Sequence, residues 1–362
     1  MKLFILVLTA MFCFSSCKIK IQEGNPYLAD TISATIETVA TSERLWTGVT
    51  VSQKGRMFVC FPRWSNDVPI SVGEIVNGSV RSYPDTAWND WKSGSEDYQK
   101  FICVQSVYVD DQDFLWILDP ASPNLQGVVK SGARLHKFDL KTNMCVKTYA
   151  VPPVIAPAQS YLNDVRIDTG TQTAYITDSG LGAIVVVDLN SGVFMRRLSK
   201  HQSTKSELDS LTIDGVQIGA KIHADGIALS PDKKTVYYQA LSGKRLFSIP
   251  AEALRDPSLD DTELAKLVTV VADVGANDGI LSDSYGNIFL TGLESNAINV
   301  LNTNKEFKAV VQDKRIQWPD TLAIDTNGTI YFTVTRLHLP PESNDSYMLY
   351  KIVRSKVKIT TK

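Results

Sequence analysis

Six times along the chain a short phrase returns with the same internal order: a small or acidic pair, an alternating apolar run, a polar turn, then a second run carrying aromatics. The copies are WTGVTVSQKGRMFV from Trp46, VQSVYVDDQDFLWIL from Val104, LNDVRIDTGTQTAYIT from Leu162, ADGIALSPDKKTVYY from Ala224, NDGILSDSYGNIFLT from Asn277 and PDTLAIDTNGTIYFT from Pro319. With Val49, Val107, Val165, Ile227, Ile280 and Leu322 as equivalent anchors, the spacings are 58, 58, 62, 53 and 42 residues. Strand, turn and strand at that period predict an all-β chain, a six-bladed β-propeller with one four-stranded blade per copy. A single blade cannot bury both faces, so the six are expected to close into one domain over residues 31–362. Radial repetition carries the same position of every copy to one ring around the axis, and function is expected there.

The segment before the repeats reads differently. Lys2 is followed by a run of twelve residues, Leu3 to Phe14, apolar but for Thr9, too short for a bilayer span and the right size for a signal core. Ser15-Ser16-Cys17 then closes it, which resembles a bacterial lipoprotein signal. On that reading residues 1–16 are removed, Cys17 is lipidated and residues 17–30 form a tether. The protein is then a cell-envelope lipoprotein, or extracellular if the signal is an ordinary cleaved one, with membrane contact only through the anchor. A net charge of −2 with interspersed signs forecasts no nucleic-acid partner. Of five cysteines, Cys60, Cys103 and Cys145 fall in the domain without zinc-ligand spacing, and their pairing is left open.

Thr31 to Thr38 alternates and is the expected closing strand of the last blade. Pro62 to Lys92 reads as a long loop on blade one, Ser199 to Lys221 as an insertion containing His201, and Pro250 to Leu254 as a short helix. The aromatics Trp116, Tyr175, Tyr237, Phe289 and Tyr331 recur at one position of the second strand and are expected in the packing between blades.

Several phrases resemble the yellow/major royal jelly protein family: PRW at Pro62, YPDTAWNDW from Tyr83, NDVRID from Asn163, AYITDSGLGAIVVVDL from Ala174, DGIALSPD from Asp225 and IQWPDTLAID from Ile316. They run in family order over about residues 45–335. The resemblance implies a secreted six-bladed propeller with a ligand-binding channel, in a family that includes small-amine binders and enzymes implicated in dopachrome conversion. The insect members' disulfide positions are not matched. More distantly, the repeats are similar to gluconolactonase- and paraoxonase-type propellers, which hold calcium with Asn, Asp and Glu side chains. That resemblance implies Asn163, Asp225 and Asp278 as ligands; where those propellers have a first-blade Glu, this chain has Thr47-Gly48.

The residues two before each anchor are Thr47, Gln105, Asn163, Asp225, Asp278 and Asp320. Carboxylates brought to one end of a channel raise one another's pKa or demand a cation, and an oxygen-only set favours calcium. The plainer alternative is that each Asp-Gly opens its strand with an Asx turn. His223, two before Asp225, is either a general base facing the channel or a hydrogen-bonded structural histidine. Arg63 and Trp64 either line the channel mouth beside Asp320 or pack their loop onto its blade. No Ser-His-Asp order, phosphate loop or HExxH is present. The expected function is binding of a small molecule in the channel, with enzymatic activity left open; the alternative is a calcium-dependent lactone hydrolase of gluconolactonase type.

Overall fold

Four of the six repeats fold around a carboxylate at the polar turn, Asp110, Asp168, Asp283 and Asp325, while Ser52 and Ser230 take that place in blades one and four. Asp110 accepts from the amides of Gln112 and Phe114 and from the Trp116 indole; Asp283 accepts from the amides of Tyr285 and Asn287; Asp325 accepts from those of Asn327 and Thr329. Satisfying the turn amides in this way fixes the hairpin and its register. The anchors accordingly pair across it, Val107 with Ile117, Ile280 with Leu290 and Leu322 with Phe332.

The computed structural model describes residue 25 and residues 32–219, 221–340 and 346–356. The expected signal, Cys17 and almost all of the tether lie outside the described residues. Six four-stranded antiparallel sheets are present. Blade one comprises Val49–Val51, Met57–Cys60, Val72–Val76 and Ser79–Ser82; blade two Ser106–Val109, Phe114–Asp119, Arg134–Asp139 and Met144–Ala150. Blade three comprises Leu162–Asp168, Thr173–Asp178, Ala183–Asp188 and Phe194–Arg197; blade four Ala224–Leu229, Thr235–Ala240, Arg245–Pro250 and Thr269–Asp273. Blade five comprises Asn277–Ser282, Ile288–Gly292, Ala297–Leu301 and Phe307–Gln312; blade six Pro319–Ile324, Ile330–Val334 and Tyr347–Lys356.

The fourth strand of blade six comes from the other end of the chain. Ile32–Ser42 pairs antiparallel with Tyr347–Lys356, from Ile32 opposite Lys356 to Ser42 opposite Tyr347. Ile36 joins a buried cluster with Phe332, Tyr350 and Ile352, so closure is apolar as well as hydrogen-bonded. At the axis the Thr333 hydroxyl of blade six donates to the Thr47 carbonyl of blade one and completes the ring. The remaining core lies between neighbouring blades. Trp116, Leu135 and Tyr149 of blade two, for example, pack on Val165, Ile167 and Ile176 of blade three. Trp116, Tyr175 and Phe289 are buried as expected, whereas Tyr237 and Tyr331 are only partly covered.

Two segments depart from the sequence expectation. Pro62–Lys92 is not a loop but carries the two outer strands of blade one and a helical turn, Thr86–Asn89. The short strands Val72–Val76 and Ser79–Ser82 join through Asn77-Gly78, both with positive φ, a turn whose twist suits a hairpin. The insertion after blade three folds as a hairpin, Ser210–Ile213 with Val216–Gly219, turning at Asp214-Gly215. Its Leu211 and Ile213 pack with Leu241, Ala276, Leu293 and Trp318, which seats it over the axis end of blades four to six. The short helix begins at Ala251 with Pro250 as its cap residue.

Candidate functional site

The first strands of the blades converge so closely that side chains are excluded between some of them. A Cβ on Gly226 would lie 2.4 Å from the Asp278 carbonyl oxygen, and one on Gly279 would lie 2.1 Å from that of Asp320. This approach explains the Asp-Gly pairs: glycine lets the strands meet and the preceding aspartate is left at the axis. Above the ring opens a cavity of about 660 Å³, within the range of small-molecule sites. Five of the six ring positions line it: Gln105, Asn163, Asp225, Asp278 and Asp320. Thr47 does not; its hydroxyl turns away to the Gln105 carbonyl at 2.9 Å.

A continuous hydrogen-bonded arc follows the wall. The Trp64 indole donates to the Tyr161 hydroxyl at 2.7 Å, and Tyr161 donates to Gln105 Oε1 at 2.8 Å. The Gln105 amide donates to Asn163 Oδ1 at 3.5 Å, and Asn163 Nδ2 donates to Asp225 Oδ2 at 2.7 Å. Asp225 and Asp278 are hydrogen-bonded to each other, and the Trp318 indole donates to Asp278 Oδ2 at 2.8 Å. Asp320 accepts from the hydroxyl of its neighbour Thr321 at 3.0 Å. Below the ring the axis is crossed by Arg166 of blade three, which pairs with Asp164 at 2.8 Å and donates to the Ile280 carbonyl of blade five at 2.8 Å. The cavity is therefore floored rather than open through the molecule.

The electrostatics are one-sided. Asp225, Asp278 and Asp320 are 3 %, 7 % and 5 % exposed, and among the described residues no lysine, arginine or histidine lines the cavity. Burial first, then repulsion from Asp278 and its acidic neighbours, holds Asp225 and Asp320 well above the usual carboxylate range. Burial raises Asp278 as well, against the opposing donors Trp318 and Asp225. Tyr161 is held well above its ordinary value by burial and stays a donor.

The other expected site residues fall elsewhere. Trp64 lines the cavity, but its neighbour Arg63 does not. The Arg63 guanidinium donates to the carbonyls of Ile102 and Val68 and to the Ser71 hydroxyl, and lies 5.8 Å from the Trp91 ring centre. It packs its loop on the blade, and the ligand-contact expectation is corrected. His223 also does not line the cavity; its Nδ1 accepts from the Ser206 amide at 2.9 Å, and burial lowers its pKa. That is the structural histidine of the two alternatives. Cys60, Cys103 and Cys145 are free thiols, the first two pushed up to about 12 by burial. Tyr161, Trp318 and Arg166 escaped the sequence reading. Arg166 left a signal there, as a basic side chain between Val165 and Ile167 of an inner strand, and Trp318 lies in the family phrase IQWPDTLAID.

The expected calcium set does not fit these residues as a metal centre. Calcium takes six to eight oxygens at roughly 2.3–2.6 Å. Here Asn163 presents its amide nitrogen to Asp225, and Asp278 faces both the Asp225 carboxyl and the Trp318 indole N–H. Among the described residues no three His, Cys, Asp or Glu side chains are grouped to hold a metal ion.

A family model described as "Major royal jelly protein" matches residues 102–357. Major royal jelly protein 3 of Apis mellifera is 26% identical over 248 residues, covering 65% of this chain and 43% of that protein. The chain likewise matches less than half the length of the next two bee relatives. The dopaminechrome tautomerase of Drosophila melanogaster is 21% identical over 346 residues, covering 83% of this chain and 72% of that protein. Among solved structures, a Xanthomonas campestris gluconolactonase superposes with a TM-score of 0.56 at 15% identity, covering 91% of this chain and 93% of that one. At that identity the likeness shows the six-bladed fold alone.

Proposed function

Because the chain belongs to the major royal jelly protein family, we propose that its cavity binds a small molecule with an apolar or aromatic body and a positively charged end. The observation that carries this is the pairing of three buried acids with a lining that, among the described residues, contains no basic side chain. Trp64, Tyr161, Trp318, Leu241 and Leu337 offer the ligand's body an aromatic and aliphatic wall. A cation entering the ring relieves the repulsion among the acids, so charge decides the discrimination. Phenethylamine titrated against tryptophan fluorescence is expected to bind with a Kd on the order of 10 μM. Phenylacetate, with the same ring and the opposite charge, is expected to bind about 100-fold more weakly, because like charges meet in a desolvated site. Equal affinity for the two would end this reading.

A second reading rests on the contact between Asp225 and Asp278. A carboxylic acid facing a carboxylate supplies a donor and an acceptor for moving a proton within a bound molecule. The fly relative's name makes dopaminechrome the compound to try. Accelerated loss of its absorbance, abolished by Asp278→Asn, supports catalysis; a rate equal to that in buffer removes it. Calcium-dependent lactone hydrolysis is the less favoured alternative, because the Asn163 amide is hydrogen-bonded to Asp225 and the Trp318 indole to Asp278.

A further inference from the structure

An oxygen-rich ring at a propeller axis invites a hard cation, and the misfit noted above has a specific structural cause. Three of the oxygens a cation would take already have a hydrogen-bond partner. Asp278 Oδ2 receives the Trp318 indole, Asp225 Oδ2 receives the Asn163 amide, and Asn163 Oδ1 faces the Gln105 amide. The first-blade position contributes nothing, because the Thr47 hydroxyl is turned to the Gln105 carbonyl and the Cys60 thiol. Side-chain hydrogen bonds thus join Gln105, Asn163, Asp225 and Asp278 in turn and tie Asp278 to the Trp318 indole.

Trp318 is held to this task from outside the ring. Its backbone adopts φ +56°, a region unfavourable for a bulky side chain and kept only where the surroundings enforce it. The amide and hydroxyl of Thr335 both donate to its carbonyl. Its indole stacks on His338, centroids 6.2 Å apart and planes 12° from parallel. His338 in turn is hydrogen-bonded to Asp214 at the tip of the inserted hairpin, and the side-chain Nε2 of Gln317, next to Trp318, donates to the same carboxylate at 3.1 Å. The hairpin therefore clamps the residues on which the indole rests, and the indole sets the position of Asp278.

We propose that this ring is a metal-independent site held by hydrogen bonds, with Trp318 as its positioning residue, so that the positive charge it accepts is the ligand's own and not a metal ion's. The ligand half of this statement rests on the binding function proposed above; the metal half does not.

The test uses the purified mature protein, melted in calcium chloride and in EDTA, and titrated in both media with phenethylamine and with its neutral isostere phenethyl alcohol. The melting temperatures should agree within about 1 °C, since a ligand that does not bind the folded state gives no stabilisation by mass action. Phenethylamine affinity should be the same in both media. Trp318→Phe keeps the stack on His338 and removes the N–H; it should weaken the amine about 10-fold through the misplaced carboxylate and leave the alcohol unchanged. A rise of about 3 °C or more in calcium, or loss of amine binding in EDTA, overturns the metal-independent ring and leaves the binding function standing. Equal weakening of amine and alcohol in Trp318→Phe overturns the positioning role, because a merely structural residue would affect both. If the wild type binds neither compound in either medium, the binding function falls, while a calcium-indifferent melt still upholds the hydrogen-bonded ring.

Discussion

Asp178 and Asp225 are buried acids of adjacent blades whose surroundings differ in kind. Asp178 accepts from the amides of Tyr161, Gly180 and Leu181 and from the Ser160 hydroxyl, and pairs with Arg196 at 2.7 Å. Every lone pair has a donor, and the carboxylate ties three segments of blade three together. Asp225 has one amide donor from Asn163 and otherwise faces Asp278, with Asp320 and Asp164 adding repulsion. Asp119 lies between them: three backbone amides serve it, yet burial still pushes it up to about 6. The gradation separates carboxylates that build the fold from carboxylates that the fold has to tolerate. A group kept at a cost to stability, on the wall of a cavity, is a functional candidate on physical grounds.

The sharpest way to break this comparison is Asp178→Ala. It leaves the Arg196 guanidinium without its carboxylate and three amides without an acceptor, and should cost about 3–5 kcal/mol in urea unfolding. A loss under about 1 kcal/mol would erase the distinction. Asp225→Asn should behave in the opposite sense, and in a pH-dependent way. Its folded-state pKa is raised above the unfolded value, so the folded chain binds the proton more tightly. The stability from that proton is fully present below the ordinary carboxylate pKa, about 3.9, and is lost as pH rises through the folded value. The asparagine variant should therefore gain on the wild type between pH 4 and pH 8, read as the difference in melting temperature. A difference that shrinks or stays flat would return Asp225 to the structural class. The smallest stability effect is expected for Asp320→Asn at pH 4, within about 0.5 kcal/mol, because its raised pKa leaves little charge to remove there and, among the described residues, the Thr321 hydroxyl is its one donor. The same change should weaken phenethylamine about 10-fold by calorimetry. A large loss of stability with unchanged affinity would place Asp320 with Asp178.

Much of the architecture was legible because it is periodic. The turn aspartates, the anchors and the closing strand near the start of the domain all follow from a repeat that must satisfy its amides and bury its edges. The outer strands of blade one were read as loop because they are short, rich in polar residues and interrupted by a turn, so no alternation of useful length survives. Arg63 and Trp64 show the limit for sites. They are adjacent in sequence and equally suited to a channel mouth, yet the guanidinium points into its own blade and the indole reaches Tyr161, 97 residues away. Likewise His223 sits two residues from a ring aspartate but is turned to the Ser206 amide.

What the chain determined by itself is the set of positions that must meet at the axis, since a sixfold repeat of strand and turn brings Gln105, Asn163, Asp225, Asp278 and Asp320 together whatever surrounds them. What only the tertiary structure decided is the chemistry those positions perform. Whether a carboxylate faces an amide, an acid or an indole depends on contacts between blades and on the hairpin that holds Trp318. Such contacts join residues tens to more than a hundred positions apart, and no local pattern encodes them.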